Sequence, residues 1–287
     1  MAEKALPFAE GLAAKFDAVL VLLGIEGSIA DESAIPASQL ETIKASTLGY
    51  LEQKAAIIRK KGIKVNAEFR IDEPAWGIVD YARTNYTDLI VIATHGRSGL
   101  RRWVLGSTAD RVLRATEKPV LLIRAKEGGP DAIEKRTLSR IIVPLDGSAE
   151  AEEILPHVEG LADRFPVEVI LLQVITNKTY LEPSADGMAY RYEDSTEEMI
   201  VNRKMHAEDY LGTIKERLEA QGIQTTIMVV ASDAGSGIID TAQQTNADLV
   251  AMTTHGRSGI KRWVYGSVAD KVLHAGTTPL LLVRTAL

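Results

Sequence analysis

Residues Thr94–Arg124 read THGRSGLRRWVLGSTADRVLRATEKPVLLIR, and residues Thr254–Arg284 read THGRSGIKRWVYGSVADKVLHAGTTPLLLVR. About two-thirds of the paired positions are identical, and self-similarity at that level marks a duplicated unit. Each copy follows an apolar run, Asp88–Ala93 or Asp248–Met252, that reads as a buried strand. Each then passes through a glycine-bearing loop into a helix starting near Gly106-Ser107 or Gly266-Ser267. A second apolar strand follows Pro119 or Pro279. Strand, loop, helix, strand is the grammar of a parallel sheet, with the loop at the strand's carboxyl end. Gly96, Gly106 and Ser107, and in the second copy Gly256, Gly266 and Ser267, leave backbone N–H groups uncovered at the positive end of a helix. A phosphate chain binds well in such a place.

The spacing of these glycines resembles the nucleotide-binding signature of the universal stress protein family, Gly-x2-Gly-x9-Gly-Ser/Thr. The second glycine of the pattern is Gly96 or Gly256, and the closing pair is Gly106-Ser107 or Gly266-Ser267. The first glycine is replaced by Ala93 in one copy and by Thr253 in the other. The resemblance covers nearly the whole chain as two tandem domains, 1–126 and 139–287, joined by a linker at 127–138 that carries Gly128-Gly129-Pro130.

Composition bounds the remaining possibilities. The chain has 287 residues, enough for two cores. Its net charge of −6 offers no basic surface for nucleic acid or an anionic membrane. The absence of cysteine excludes disulfides, thiolate metal sites and cysteine catalysis, and suits a reducing cytoplasm. No apolar run is long enough for a membrane span, and the N-terminus lacks the apolar centre of a signal peptide.

In order, the first half reads as helix 4–16, strand Asp17–Ile25, helix Ser38–Lys61 closed by Gly62, and strand Ile63–Ile71. A helix then runs from Asp72-Glu73-Pro74 to Asn85, with Asp72 as its cap, and leads into the repeated stretch. The second half reads as strand Arg140–Leu145 ended by Asp146-Gly147-Ser148, helix Glu152–Phe165, strand Glu168–Ile175 and a polar loop. Helix Glu197–Gln221, strand Ile223–Ala231 and helix Gly237–Asn246 precede its copy of the stretch. Alternation of five strands with helices predicts an α/β fold, two tandem parallel five-stranded sheets covered by helices on both faces. The resemblance implies a Rossmann-like strand order, 3-2-1-4-5, with the ligand crevice between strands one and four.

Met1 aligns with Glu150, so the first half has no counterpart of Arg140–Ser148, the central strand of that order. An empty centre leaves backbone groups unpaired, at roughly 1–3 kcal/mol for each buried one. Three arrangements are open: a start upstream of Met1, which is the expectation here, direct pairing of strands two and four, or another segment in the gap.

For chemistry, the glycine loops predict phosphate binding. Ser107 and Ser267 read as helix caps that also reach a phosphate oxygen. Asp146 reads equally as a cap for the following helix or as a contact to adenosine beside the backbone of Pro144 and Leu145. By resemblance, Val174 lines an adenine pocket through its backbone, with Gly24 its first-half counterpart. The implied binding set continues through Met252, Thr253, His255, Gly256, Arg257, Gly259, Gly266, Ser267 and Val268. The first copy contributes Ala93, His95, Gly96, Gly99, Gly106 and Ser107. His95 and His255 read as loop anchors or as general bases. Arg97, Arg101, Arg102, Arg257, Lys261 and Arg262 read as solvated helix charges, and Trp103 and Trp263 as packing residues.

Other motifs fail: Gly96-Arg97-Ser98-Gly99 is one residue short of a nucleophile elbow, no P-loop is present, and the five histidines lack metal spacing. The resemblance implies an ATP- or AMP-binding stress-response regulator in the cytoplasm. The competing readings are a slow hydrolase using Asp146 or His255, with Mg²⁺ held by the phosphates, and an assembly module without nucleotide. Apolar strands Lys118–Arg124 and Thr278–Arg284 are expected to pair the halves as an intrachain pseudo-dimer, with a homodimer needing a further surface.

Overall fold

In the computed structural model, the described residues are 2–27, 37–94, 105–124, 138–176, 179–183, 189–193, 197–255 and 265–285. They divide into two compact units, Met1–Lys135 and Arg136–Leu287. Unit 1 runs through a 3-10 turn Ala2–Ala5, α1 (Leu6–Phe16), β1 (Val19–Glu26), α2 (Ala37–Arg59), β2 (Lys64–Ile71) and α3 (Pro74–Thr84). It closes with β3 (Ile90–Thr94), α4 (Ser107–Ala115) and β4 (Val120–Arg124). Unit 2 runs through β5 (Arg140–Pro144), α5 (Ala149–Glu152), α6 (Leu155–Arg164), β6 (Glu168–Ile175), β7 (Thr179–Pro183), β8 (Ala189–Glu193) and α7 (Glu197–Ala220). It ends with β9 (Gln224–Ala231), α8 (Ala234–Gln244), β10 (Leu249–Thr253), α9 (Ser267–Ala275) and β11 (Leu280–Val283).

The strands of unit 2 lie in the order β11-β10-β5-β6-β9, all parallel. Read from β9 and numbered by chain order within this sheet, the order is 3-2-1-4-5, with β5 at the centre. Ile141, Ile142 and Val143 are wholly buried, as a strand covered on both faces requires. The α7 helix buries Ala207, Leu211, Ile214 and Leu218, a stripe at helical spacing, and packs on β6 and β9. The helix expected over Glu152–Phe165 is α6, and Pro156, with no N–H to give the Glu152 carbonyl, separates it from the short α5 that precedes it. Pro7 marks the same junction between the 3-10 turn and α1.

Among the described residues of unit 1, two parallel pairs form, β1 with β2 and β3 with β4. Strands β1 and β3 belong to different sheets, so the two strands flanking the gap have not closed on each other. The 3-10 turn Ala2–Ala5 packs against β3 without extending the sheet. Its counterpart in the repeat is the end of α5, which packs against β10 in the same way. Among the described residues no strand lies between the two pairs. The penalty for an unpaired backbone group applies when water is also excluded, and here the flanking strands are only half buried. Below them, Ala13, Leu22, Ala55, Ile58, Ile63 and Val65 form a closed core. Helices cover both faces: a Cβ on Gly24 would meet Thr47 and Leu51 of α2, while Ile25 meets Gly77 of α3.

Two further expectations are corrected. The cap of α3 is Glu73, whose carboxylate accepts from the Trp76 N–H at 3.1 Å, while Asp72 accepts from the Glu73 N–H. The polar loop after β6 contains an antiparallel pair, β7 with β8.

Candidate functional site

The site is assembled at the carboxyl end of the unit 2 sheet, where β5 parts from one neighbour and keeps the other. The β5–β10 ladder covers Ile141 opposite Leu249 and Ile142 opposite Val250, and stops there. The β5–β6 ladder runs on through Pro144 opposite Leu172, and the Leu145 N–H then donates to the Leu172 carbonyl at 2.8 Å. Beyond Ile142 the sheet opens between β5 and β10. This is the switch point, where open α/β sheets hold ligands.

One wall of the opening is Asp146-Gly147-Ser148. Gly147 has φ of 83°, left-handed backbone that glycine adopts without strain. The turn brings the Ser148 N–H within 3.0 Å of the Asp146 carboxylate, and the Ser148 hydroxyl donates to the same oxygen. Ser148 in turn caps α5, accepting from the Ala151 N–H at 3.2 Å. The capping residue is therefore Ser148, with Asp146 orienting it from behind, which corrects the reading of Asp146 as the cap.

The opposite wall is the exit of β10. Met252 and Thr253 are buried. The Thr253 hydroxyl donates to the His255 carbonyl at 2.7 Å, and the Thr254 hydroxyl lies 3.0 Å from His255 Nδ1. His255 is thus tied into the loop entry as an anchor. Thr254, which the sequence did not single out, links three elements. Its N–H donates to the Val283 carbonyl at 2.9 Å, and its carbonyl accepts from the Gly266 N–H at 3.0 Å. The two ends of the glycine loop are therefore pinned together. Gly256, Arg257, Gly259, Lys261, Arg262 and Trp263 lie outside the described residues.

At the far end, Gly266 is the cap residue of α9 and Ser267 is the first helical residue, which corrects the expectation that Ser267 caps. Gly106 and Ser107 stand in the same relation to α4. Neither helix has a side-chain cap. The first intrahelical bond of α9 comes from the Asp270 N–H, to Gly266. The N–H groups of Ser267, Val268 and Ala269 therefore have no acceptor within the helix, the usual state of a first turn. A Cβ added to Gly266 would make only ordinary contact with the Thr254 carbonyl, at 3.4 Å. In unit 1, Ala93 lies half-buried on β3. His95, Gly96, Arg97, Gly99, Arg101, Arg102 and Trp103 lie outside the described residues.

On the β6 side, Val174 packs against α8: a Cβ on Gly237 would stand 3.0 Å and 3.1 Å from its two methyls. Next to it a small hollow is lined by Ile175, Thr176, Ile200, Arg203 and Ala231. The strand registers correct one correspondence. Val174 opposes Val230 as Ile25 opposes Arg70, and Gln173 opposes Val229 as Gly24 opposes Phe69. The unit 1 counterpart of Val174 is therefore Ile25, and Gly24 corresponds to Gln173.

The model of the Universal stress protein family matches residues 1–124 and 137–284. The chain belongs to the universal stress protein family. A universal stress protein of Mycolicibacterium smegmatis is 26% identical over 223 residues, 78% of this chain and 70% of that protein. Universal stress protein MJ0577 of Methanocaldococcus jannaschii is 27% identical over 152 residues, 50% of this chain and 94% of that protein. Among solved structures, a universal stress protein of Archaeoglobus fulgidus has the same fold, with a TM-score of 0.74 at 17% identity, covering 100% of this chain and 96% of that one.

Proposed function

We propose that unit 2 binds an adenine nucleotide, ATP or AMP, and that this family member works as a stress-response regulator whose conformation or assembly the nucleotide tunes. The observation that carries the reading is the first turn of α9. It has no side-chain cap, and its N–H groups stand at the carboxyl end of β10 beside the opening of the sheet. Helix N-termini so placed favour phosphate, both by their free donors and by the helix dipole. The adenosine would lie toward β6, along the backbone of Pro144, Leu145 and Val174, with Asp146 at the ribose. The phosphates would run along Thr253 to Gly256 and reach Gly266, Ser267 and Val268. The corresponding first-copy set is Ala93, His95, Gly96, Gly99, Gly106 and Ser107.

Among the described residues no cluster of His, Asp and Glu side chains is gathered that could hold a metal ion. A magnesium ion would therefore be carried by the phosphates. No helix among the described residues is long and apolar enough to cross a membrane. Cytoplasmic operation rests on family membership and on the lack of cysteine. The apolar stretches Lys118–Arg124 and Thr278–Arg284 are the surfaces by which the two halves would pair as a pseudo-dimer.

Gly266→Val tests the phosphate reading. Its Cβ is accommodated, and Val suits the extended backbone at this cap position, φ −58° and ψ 150°. The variant is expected to keep its circular dichroism spectrum while its ATP and AMP affinities fall by about tenfold or more, the worth of one or two charge-assisted hydrogen bonds. Undiminished calorimetric affinity in a folded variant would remove the reading. Turnover by the purified wild-type chain, abolished in Asp146→Ala, would instead favour the hydrolase.

A further inference from the structure

The strand β9 pairs with β6 along its whole length and, among the described residues, with no other strand. The Ser232 N–H donates to the Ile175 carbonyl at 3.1 Å. Backbone groups alternate in direction along a strand, so the even-numbered residues of β9 turn theirs toward β6. Thr225, Ile227, Val229 and Ala231 turn theirs outward. The strand reads QTTIMVVA, eight residues without a charge or a proline. Ile227 to Val230 are half-buried and Ala231 is exposed. A long apolar edge of this kind invites pairing with another strand.

The matching strand of unit 1, β2, is guarded. It carries Lys64, Glu68 and Arg70, and Arg59 at the end of α2 caps one of its outward groups. The Arg59 Nε and Nη2 donate to the Val65 carbonyl at 3.1 Å and 2.9 Å, and Glu52 holds the same guanidinium at 2.8 Å. The turns from helix to strand are alike in the two units. Gly62 and Gly222 each have φ of 82°, and their N–H groups donate to the Arg59 and Glu219 carbonyls at 2.9 Å. Arg59 therefore corresponds to Glu219, Glu52 to Gly212, and Val65 to Thr225. A carboxylate only accepts, so Glu219 cannot take the part of Arg59. Among the described residues no hydrogen bond reaches the Thr225 carbonyl.

We propose that β9 is the surface through which two copies of this chain join, edge to edge and antiparallel, about a two-fold axis near Met228. The occupant is a second copy because the edge is self-complementary. With no charge on the strand, no register near that axis sets like charges opposite one another, and nothing on it selects an unlike partner. The same outward residues serve both strands, as an isologous contact requires. Arg59 excludes β2 as a receiving edge, so the contact closes at two chains and does not continue into a fibre.

The test uses the full chain. Sedimentation in the micromolar range should show dimers, and the Ile227, Val229 and Ala231 amides should exchange roughly tenfold or more slowly as these form. Val229→Pro removes an N–H that bonds nothing within the sheet, so the circular dichroism spectrum should be kept and the dimer lost. Gly212→Glu combined with Glu219→Arg transfers the unit 1 cap onto α7. Glu219 is exposed, and a Cβ on Gly212 meets nothing within 4 Å, so this second variant keeps its fold. Its dimer dissociation constant should rise about tenfold. A chain that stays monomeric would overturn the proposal. So would a dimer of undiminished affinity in either folded variant, or one that leaves the three β9 amides unprotected.

Discussion

Gly237 decides how closely α8 approaches β6 at Val174. Methyls of Val174 stand 3.0 Å and 3.1 Å from where its Cβ would be, and Ser232 Cβ stands at 3.2 Å. Gly237→Ala therefore overpacks a β-branched, stiff neighbour and should destabilise unit 2 by about 1–3 kcal/mol. Denaturant unfolding would read the loss, and nucleotide affinity should fall with it. Gly77→Ala meets the terminal methyl of Ile25, which can rotate away, but also Asp72 Cβ at 3.0 Å, and should cost about as much. A second prediction concerns pH. Burial holds the His157 imidazole below its ordinary 6.5, so the unfolded chain binds more protons in the window between the two values. The stability this neutral ring contributes is present above 6.5 and is lost as pH falls through the folded value. Thermal melts between about pH 7.5 and 5.5 should show a shallower decline for His157→Gln than for wild type. At this scale the sequence was legible where backbone chemistry is distinctive: the Gly266 turn and the Asp-Gly corner stand where expected. Roles shared among neighbours were not. Asp146 and Ser148, or Asp72 and Glu73, can each cap a helix, and only the direction of the chain on leaving the strand selects one.

The two units use one device to join consecutive helices. Glu73 caps α3 and receives Arg111 of α4 at 3.0 Å; Asp233 caps α8 and receives Lys271 of α9 at 2.7 Å. Each carboxylate thus closes one helix and tethers the helix that opens beside the glycine loop. In unit 2 the Lys271 ammonium, followed by the Ser236 N–H, holds the Asp233 carboxyl below its usual range. Asp233→Ala is expected to cost about 1 kcal/mol, most of it from the cap. The ion pair is exposed at both ends and adds little. Lys271→Ala should accordingly be near neutral in a thermal melt while Asp233→Ala is not. Helix and strand existence followed from periodicity, down to Glu168–Ile175. What periodicity hid was interruption. The Leu-Pro pairs break helices that look continuous, because a missing N–H leaves no trace in hydrophobic spacing. The β7–β8 hairpin, Thr179–Pro183 with Ala189–Glu193, reads as polar because it has no alternating apolar face. Its tyrosines and the Ser-Ala-Asp-Gly between its strands were the available signal.

At the scale of the whole chain, duplication has produced two copies of the glycine loop and, among the described residues, one central strand. Asp146 and the wall it forms therefore have no described equivalent in unit 1. Titration with ATP or AMP is expected to saturate at close to one nucleotide per chain, in unit 2, and two equal sites would show that the central strand is dispensable for binding. The clamp that fixes that strand has a cost in time. Asp248 holds Ser139 and Arg140 across separations of 109 and 108 residues. During synthesis at about 5–20 residues per second, β5 leaves the ribosome roughly 5–20 s before the strand that will cover its second edge. Stalled nascent chains ending just after β6 should accordingly be cut by protease within Arg140–Leu145, and chains extended past Val283 should resist. Until then a strand whose Ile141, Ile142 and Val143 end wholly buried stands in water, and the rate of translation sets how long it waits.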